Sequence, residues 1–418
     1  MAQRYDTYKD SGVQWLGEIP GHWEMSKVSS HFKQRNEKVS DKDYPALSVS
    51  KQGVTPQLEN VALSNAEGSS RKLVKVGDYA VNSRSDRKGS CGVSKYEGSV
   101  SLITIVLEPL NIDGDYVHYL FRSNPWIEEF YRNGRGIVAD LWTTNYQMMK
   151  SMYMPLPPLS EQHSIVSYLD DKCGKIDKML EGKQKQIELL AEMKQRIIAD
   201  AVTRGLNPDV KMKATNIPWL PEIPEHWEME SLRRFLKIFA EKGHGDKQLL
   251  SVTREQGVIE RNTDSKEENH NFIPEDLSGY KYVQVGDFVI NKMKSWQGSY
   301  GVSEYEGIVS PAYFTCKLQG VDKDFFSTAI RSKIYVSFFA RNSKGIRVDQ
   351  WDLSPIALKS IPFALPPLDE QHAIVSYITK KTAKIDTLTS KLQQEIESIK
   401  EYKQRLISDV VTGQIKVC

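Results

Sequence analysis

The chain has 418 residues, of which 39% are hydrophobic and 26% charged, and its 56 basic and 54 acidic residues leave a net charge of +2. This length predicts two or more domains, and the composition excludes collagen-like and disordered chains. No apolar run is long enough to span a membrane, and the polar N-terminal residues are unlike a secretory signal, so we expect a cytoplasmic protein without a membrane partner. The balanced charge leaves nucleic-acid binding open, because such binding needs only a local basic surface.

The sequence repeats itself once. Three stretches return in the same order: "WLGEIPGHWEM" at 15–25 as "WLPEIPEHWEM" at 219–229, "VGDYAVNSRSDRKGSCGVSKYEGSVS" at 76–101 as "VGDFVINKMKSWQGSYGVSEYEGIVS" at 285–310, and "LPPLSEQHSIVSYLDDKCGKID" at 156–177 as "LPPLDEQHAIVSYITKKTAKID" at 365–386. The second and third stretches recur with a spacing of 209 residues, about half the chain. Two copies of a unit this long indicate a tandem duplication and not a solenoid.

The first part of each copy predicts a β-rich domain. Between residues 20 and 155, short apolar runs alternate with Gly, Asn and Ser, a pattern typical of strands and turns, while 114–134 favours a helix. Trp23 and Trp227, in the repeated "HWEM", are predicted to be core aromatics.

The second part of each copy predicts a long helix. Apolar and some lysine positions recur at alternating spacings of four and three, from Leu169 to Ala201 and from Ile378 to Val410, which is the pattern of a coiled-coil seam. The preceding "LPPL" cannot be helical, so Ser160 and Asp369 are predicted to be N-caps. Glycines near 205 and 413 are predicted to end the helices.

These elements predict an α+β protein with two similar β-rich domains in tandem. The domains would be separated by two long helices, packed as an antiparallel coiled coil with pseudo-two-fold symmetry. The predicted boundaries are 1–159 for the first domain, 160–206 for the first helix, 207–368 for the second domain and 369–418 for the second helix.

The candidate recognition residues lie where the two copies differ. Within the repeat at 76–101, the flanks agree, but "SRSDRK" at 83–88 and "KMKSWQ" at 292–297 differ at every position. These inserts supply Arg84, Arg87 and Lys88 in one copy, and Lys292, Lys294, Trp296 and Gln297 in the other. Such side chains suit base edges and phosphates. A solvated hairpin tip would also vary in this way, so both interpretations stay open.

A second basic stretch precedes each proline pair. "RNGRGIVADLW" at 132–142 carries Arg132 and Arg135, and "RNSKGIRVDQW" at 341–351 carries Arg341, Lys344 and Arg347. The neighbouring glycines allow close approach of a ligand, so these residues are candidate phosphate contacts, although an ordinary basic loop is nearly as good an interpretation.

Enzyme motifs are missing from the sequence. There is no phosphate-binding G-x-x-x-x-G-K-[ST] motif and no strand-linked G-x-G-x-x-G motif. "SPAY" at 310–313 faintly resembles a methyltransferase motif but lacks a glycine-rich cofactor loop. The "EQH" at 161–163 and 370–372 favours capping and packing, because residues two apart on a helix do not share a face. Cysteines 91, 173, 316 and 418 lie far apart, so we predict no metal site and no catalytic residue.

Taken together, the two "IPxHWEM" segments, the "GVSxYEG" strands and the "LPPLxEQ" helices resemble the specificity subunit of type I restriction-modification systems. The resemblance covers nearly the whole chain. It implies a non-catalytic subunit that binds double-stranded DNA at a bipartite asymmetric sequence, with the helices setting the gap between its halves.

The resemblance also implies partners. Modification subunits that methylate adenine with S-adenosylmethionine would dock on the helical spacer, and restriction subunits that use ATP and Mg would join through them. No cofactor is expected in this chain. Two other functions remain possible from the residues: a self-contained DNA methyltransferase or nuclease with fused recognition domains, and a spacer that holds two protein partners apart.

Overall fold

The computed structural model describes residues 3–57, 70–136, 142–262, 274–345 and 351–417. Two residues considered above, Arg347 and Cys418, lie outside these ranges. The chain divides into two compact units. Unit 1 comprises Met1–Gln184 and Gln393–Cys418, and unit 2 comprises Lys185–Leu392. Each unit therefore contains one copy of the β-rich segment together with parts of both long helices.

Unit 1 is built mainly from short antiparallel strands. Its strands are β1 Tyr8–Asp10, β2 Glu18–Pro20, β3 Glu24–Lys27, β4 Phe32–Gln34, β5 Lys38–Val39, β6 Leu47–Ser50, β7 Gly53–Pro56, β8 Arg71–Val74, β9 Tyr79–Val81, β10 Cys91–Val93, β11 Gly98–Val100, β12 Ile105–Pro109 and β13 Tyr153–Leu156. Its helices are α1 Gly114–Phe121, α2 Asn124–Arg132, α3 Tyr146–Met149 and the first part of α4 Leu159–Arg204.

Unit 2 repeats this succession. Its strands are β14 Met212–Ile217, β15 Leu220–Pro224, β16 Glu228–Ser231, β17 Leu236–Phe239, β18 Leu250–Thr253, β19 Gly257–Glu260, β20 Lys281–Val283, β21 Phe288–Ile290, β22 Tyr300–Val302, β23 Gly307–Val309, β24 Phe314–Leu318 and β25 Pro362–Leu365. Its helices are α5 Lys323–Ile330, α6 Lys333–Asn342, α7 Pro355–Ser360 and the first part of α8 Leu368–Val411.

The four-stranded sheet has the same topology in both units. The order β10-β9-β12-β4 in unit 1 corresponds to β22-β21-β24-β17 in unit 2, and all of these strands pair antiparallel. β3 pairs with β13, and β16 pairs with β25, so the strand after each repeated tryptophan is joined to the strand that leads into a long helix. The predicted α+β class with two similar β-rich domains is confirmed.

The long helices pack antiparallel within each unit. In unit 1, Asp177 of α4 pairs with Lys403 of α8, at 2.6 Å between Oδ1 and Nζ, while Lys183, further along α4, pairs with Glu395, which lies earlier in α8. In unit 2, Lys194 Nζ lies 2.7 Å from Asp386 Oδ1. The lysines of the predicted stripe thus bind carboxylates of the facing helix. The antiparallel packing is confirmed, whereas the two-fold relation and the four predicted domain boundaries stay predictions.

Both ends of the long helices belong to domain cores. In unit 1, Trp23 packs in one apolar cluster with Ile165 and Leu169 of α4 and with Val410 of α8. In unit 2, Trp227 shares a cluster with Ala201, Val202, Ile374 and Ile378. Trp23 and Trp227 are fully buried, which confirms that they are core aromatics.

The N-terminal ends of the two long helices differ from the prediction. Ser160 and Asp369 lie inside the first turn, so their prediction as N-caps was wrong. The carbonyl of Pro158 accepts the first helical N–H bonds, from Glu161 at 2.8 Å and from Gln162 at 3.0 Å. A proline suits this position, because the N–H that it lacks would have no helical acceptor there. Gly205 (φ +73°) follows α4 directly in the left-handed conformation typical of a helix end.

Candidate nucleic-acid interface

The insert of unit 1 forms a tight hydrogen-bonded turn after β9. Ser85–Arg87 is one turn of 3₁₀ helix, and the N–H of Ser90 donates to the carbonyl of Arg87 at 3.0 Å. Ser83 is buried, whereas the side chains of Arg84, Arg87 and Lys88 are exposed. The predicted recognition side chains of this insert therefore stand on a fixed backbone and face solvent.

The second basic stretch of unit 1 lies against the insert. The N–H of Thr144 donates to the carbonyl of Ser83 at 3.0 Å, and the N–H of Ser85 donates to the carbonyl of Trp142 at 2.9 Å. Arg135 exchanges two backbone hydrogen bonds with Thr143, at 3.1 and 3.0 Å. We call residues 83–88, 132–136 and 142–144 surface 1.

Unit 2 brings its own two stretches together in the same manner. The N–H of Leu353 donates to the carbonyl of Lys292 at 3.1 Å, and Lys344 exchanges backbone hydrogen bonds of 3.0 and 2.9 Å with Asp352. The hydroxyls of Ser295 and Ser343 lie 3.3 Å apart. We call residues 292–297, 341–345 and 351–353 surface 2, which contains Trp296 and Gln297.

Many of the predicted cations lie beside carboxylates. The pairs are Arg84 with Asp86 at 2.9 Å, Arg87 with Asp86 at 3.7 Å, Lys88 with Glu128 at 3.0 Å, Arg132 with Glu129 at 3.3 Å and Lys292 with Asp352 at 3.0 Å. Arg84 binds Asp86 through two guanidinium nitrogens. Surfaces 1 and 2 therefore carry both donors and acceptors, as reading base edges requires, and are not simply positive.

Three predicted cations are available for phosphate contacts. Within the described ranges, no carboxylate lies within ion-pair distance of Arg135, Lys294 or Lys344, and all three residues are exposed. Arg341 differs, because its guanidinium carbon lies 4.1 Å from the centre of the Trp219 ring, in a cation–π contact.

An open groove crosses surface 1. It has a volume of about 450 Å³ and is lined by Ser85, Asp86, Lys88, Glu128, Tyr131, Arg132 and Trp142. Asp86, Glu128 and Trp142 were not predicted to belong to the interface, and neither were Trp351 and Asp352 of surface 2. The repeated tryptophan after each basic stretch was a usable signal, since Trp142 and Trp351 lie 209 residues apart.

The repeated Glu-Gln pair joins each long helix to its domain. In unit 1, the carboxylate of Glu161 accepts hydrogen bonds from Tyr5 and from Nε2 of His22, the latter at 2.8 Å. In unit 2, Glu370 accepts from His226 at 2.8 Å and from the indole Nε1 of Trp227 at 2.9 Å. Glu161 and Glu370 thus anchor the start of each long helix to its domain.

The glutamine of each pair makes an equivalent contact. Gln162 Oε1 accepts from the N–H of Asp113, at the N-cap of α1, and Gln371 Oε1 accepts from the N–H of Asp322, at the N-cap of α5. The predicted structural role of "EQH" is confirmed in kind, although the residues anchor a domain to the helix and do not cap it.

Ionisation of Glu161 is favoured by its surroundings. Burial acts to raise the pKa of this carboxyl, but hydrogen bonds from Tyr5 and His22 outweigh that effect and hold the pKa below its ordinary value. Glu161 is thus a charged group that is only 6% exposed. Its charge is stable in this buried position because Tyr5 and His22 donate hydrogen bonds to it.

Cysteine and metal chemistry receive no structural support within the described residues. The thiols of Cys91, Cys173 and Cys316 are free and buried, and burial raises the pKa of Cys91 to about 11 and that of Cys316 to about 12. In the part of the chain that the structure describes, no cluster of three His, Cys, Asp or Glu side chains could hold a metal ion. None of the helices described has an apolar stretch sufficient to cross a membrane.

The similarity of this chain to known proteins extends over both units. No family model matches the chain. It is 26% identical over 431 aligned positions to the type I restriction enzyme MjaVIII specificity subunit of Methanocaldococcus jannaschii, with 96% of this chain and 94% of that protein covered. It is 20% identical to the type I restriction enzyme EcoDI specificity subunit of Escherichia coli, over 78% of this chain and 76% of that protein.

The chain is a homologue of type I restriction specificity subunits. A solved structure that concerns complex assembly and conformational transition of the type I R-M system contains a chain of the same fold. Its TM-score is 0.63 at 13% identity, covering 94% of this chain and 98% of the other. The likeness thus extends along nearly the whole chain, while the roles of individual residues in surfaces 1 and 2 stay predictions.

Proposed function

We propose that this chain is the sequence-specific DNA-binding specificity subunit of a type I restriction-modification complex. It reads a bipartite, asymmetric double-stranded DNA target and directs adenine methylation or restriction by partner subunits. The observation that carries this proposal is the pair of surfaces: one scaffold occurs twice, and each copy presents a different insert beside a basic loop. The names of its homologues support the same function.

The chemistry of the two surfaces suits two different half-sites. Arginine and lysine bind guanine or phosphate, glutamine binds adenine, and aspartate accepts a hydrogen bond from the cytosine amino group. Surface 1 offers Arg84, Arg87 and Asp86, whereas surface 2 offers Lys294, Trp296 and Gln297. A duplicated chain with unlike surfaces explains an asymmetric target better than two identical readers would.

The chain itself would carry no catalytic group. S-adenosylmethionine, ATP and Mg²⁺ would be bound by partner subunits. Because its proposed target is DNA, the complex would act in the cytoplasm. The modification subunits would dock on the exposed faces of α4 and α8, which carry large apolar side chains, among them Met179, Leu189, Met193, Leu388 and Tyr402. Restriction subunits would join through the modification subunits.

Mapping methylated adenines tests this function. The full chain is produced in cells together with its modification subunit, and methylated positions are read across the genome. We expect a two-part motif with a fixed gap. Alanine at 83–88 should relax one half of the motif, and alanine at 292–297 should relax the other half.

The two alanine variants also control for one another, because they alter equivalent turns of the same scaffold. Loss of both halves from either variant would mean that the inserts stabilise the fold and do not read sequence. Methylation without any sequence motif would contradict the proposed function.

A further inference from the structure

The duplication allows surfaces 1 and 2 to be compared position by position. At the spacing of 209 residues, Arg84 corresponds to Met293 and Arg87 corresponds to Trp296, while tryptophan occupies both 142 and 351. These two positions thus carry exposed guanidinium groups in unit 1 and apolar side chains in unit 2, of which Met293 is exposed and Trp296 is half-buried. Because of this difference in chemistry, the two surfaces are suited to bind different chemical groups.

The side chain of Met293 is exposed, whereas the backbone around it is fixed by hydrogen bonds. Its side chain is 48% exposed, yet the backbone around it is held by hydrogen bonds from Lys294 to the carbonyl of Asn291 at 3.0 Å and from Leu353 to the carbonyl of Lys292 at 3.1 Å. Ser295, two residues later, is fully buried. The fold therefore fixes this turn and leaves the apolar side chain in solvent.

Two tryptophans extend the apolar part of surface 2. The rings of Trp296 and Trp351 lie 5.2 Å apart between centroids and are tilted by 56°. Among the described residues, the buried Nε1 of Trp296 has no hydrogen-bond partner, so this side chain contacts its neighbours as an apolar body. Met293 is exposed and both tryptophans are half-buried, so the three side chains offer a partly exposed apolar patch that a ligand can contact.

The charges around this cluster identify the class of ligand. Lys294 and Lys344 are exposed without a carboxylate partner in the described ranges. Lys294 lies between Met293 and Trp296, and Lys344 pairs through its backbone with Asp352, the residue after Trp351. Cations beside an apolar patch match a duplex, which has phosphates on either side of a groove. The apolar group that DNA presents in its major groove is the 5-methyl group of thymine.

We propose that surface 2 reads the 5-methyl group of a thymine in its half of the DNA target, through Met293 and the Trp296–Trp351 pair. This inference rests on the proposed function and adds the chemistry of one half-site. Surface 1, with Arg84 and Arg87 at the same places, reads its half through hydrogen bonds instead.

The test replaces thymine by uracil, which lacks only the methyl group. The full chain in complex with its modification subunit is titrated against the duplex found by methylation mapping, with uracil placed at one thymine at a time in either strand. We expect Kd to rise about four-fold at one or more thymines of a single half-site, the effect of losing one buried methyl group.

Variants at position 293 assign that effect to surface 2. Met293→Ala should reduce the uracil-to-thymine ratio of Kd toward one, and Met293→Leu, which keeps an apolar side chain, should retain that ratio. Arg84→Ala is the matched control at the equivalent position of unit 1. Arg84→Ala should weaken binding at the other half-site and leave the uracil-to-thymine ratio of Kd unchanged.

Two outcomes overturn the inference while the proposed function stands. The first is equal affinity for uracil and thymine at every position. The second is a methyl preference that persists in both Met293→Ala and Trp296→Ala. If mapping yields no bipartite motif at all, the proposed function fails, and the inference fails with it.

Discussion

At the scale of single residues, the contacts of Glu161 and Glu370 explain why a glutamate stands at the same place in both copies. Glu161 is buried, charged and hydrogen-bonded by Tyr5 and His22, which lie more than 130 residues earlier in the chain. A buried charge is stable only when it is paired, so the glutamate and its donors must be kept together. The identity at these positions therefore follows from their shared structural role.

Replacing Glu161 by Gln should destabilise unit 1. Because the folded-state pKa of Glu161 lies below its ordinary value, ionisation stabilises the fold, fully so above the unfolded-state pKa of about 4.3, and this stabilisation is lost as pH falls through the folded-state value. We expect Glu161→Gln to lower the free energy of unfolding by about 1–3 kcal/mol at pH 7. Urea titration at pH 7 and at pH 3.5 measures the difference, which should shrink at the lower pH.

Glu181→Gln is the control for this measurement, since Glu181 lies on the same helix and is exposed. It should change stability by less than about 0.5 kcal/mol. An equal effect of the two variants, or a difference that grows with acid, would show that Glu161 does not stabilise unit 1 as a charged group.

Residue types at the candidate interface were more predictable than their pairings. The exposed cations of both inserts follow directly from the sequence, because the two copies differ there and the flanks agree. Their partners Glu128 and Asp352 were missed, because Glu128 lies 40 residues from Lys88 and Asp352 lies 60 residues from Lys292. Pairs this distant depend on the tertiary fold, which local pattern does not give.

At the scale of elements, each long helix serves both units. α4 begins in the core of unit 1 and ends in that of unit 2, and α8 does the reverse. The sequence predicts the helices and their glycine ends from local signals. It does not predict that Leu406 and Val410 complete the core around Trp23, because the heptad pattern shows which face is apolar but not which domain it meets.

Replacing Leu406 by Ala should therefore destabilise unit 1, although that residue belongs to the last helix. Leu406 is 5% exposed within the unit 1 core. We expect a loss of about 2–5 kcal/mol, as for other buried leucines. Hydrogen exchange should show faster amide exchange in β3 and β13, with a smaller change in β16 and β25.

The matched control is Leu388→Ala, the same substitution on the same helix at a residue that is 47% exposed. Its effect should stay below about 0.5 kcal/mol. Equal losses from the two substitutions would show that burial in the unit 1 core is not the cause.

At the scale of the whole molecule, the proposed role of the helices is to set the gap between half-sites. Adding seven residues after Gln184 in α4 and seven after Leu392 in α8 preserves the heptad seam on both helices. The added length of about 10.5 Å corresponds to about three base pairs at 3.4 Å each. Methylation mapping should show the same two half-sites separated by a gap about three base pairs longer.

The same seven residues placed after Asn207, between α4 and β14, provide the control, since they lengthen the chain without lengthening either helix. That variant should keep the original gap. A gap that is unchanged by the helix insertions would contradict the spacing role, and a gap altered by both insertions would assign it to chain length alone.

The whole-molecule organisation could be predicted from the repeat, but its division into compact units could not. Duplication, two β-rich segments and two helices all follow from the sequence. The grouping of Gln393–Cys418 with Met1–Gln184 depends on contacts across more than 200 residues. Antiparallel packing makes that grouping necessary, because the end of one helix then lies beside the start of the other.

This sharing of helices constrains the order of events during synthesis. The last strand of unit 1, β13, ends at Leu156 and leaves the ribosome roughly 240 residues before the segment of α8 that covers the Trp23 core, which begins at Gln393. At about 5–20 residues per second, the first domain waits some tens of seconds with part of its core open to water. Unit 2 has no such delay, because α4 precedes it and α8 follows it directly, so the nascent chain completes its second domain before its first.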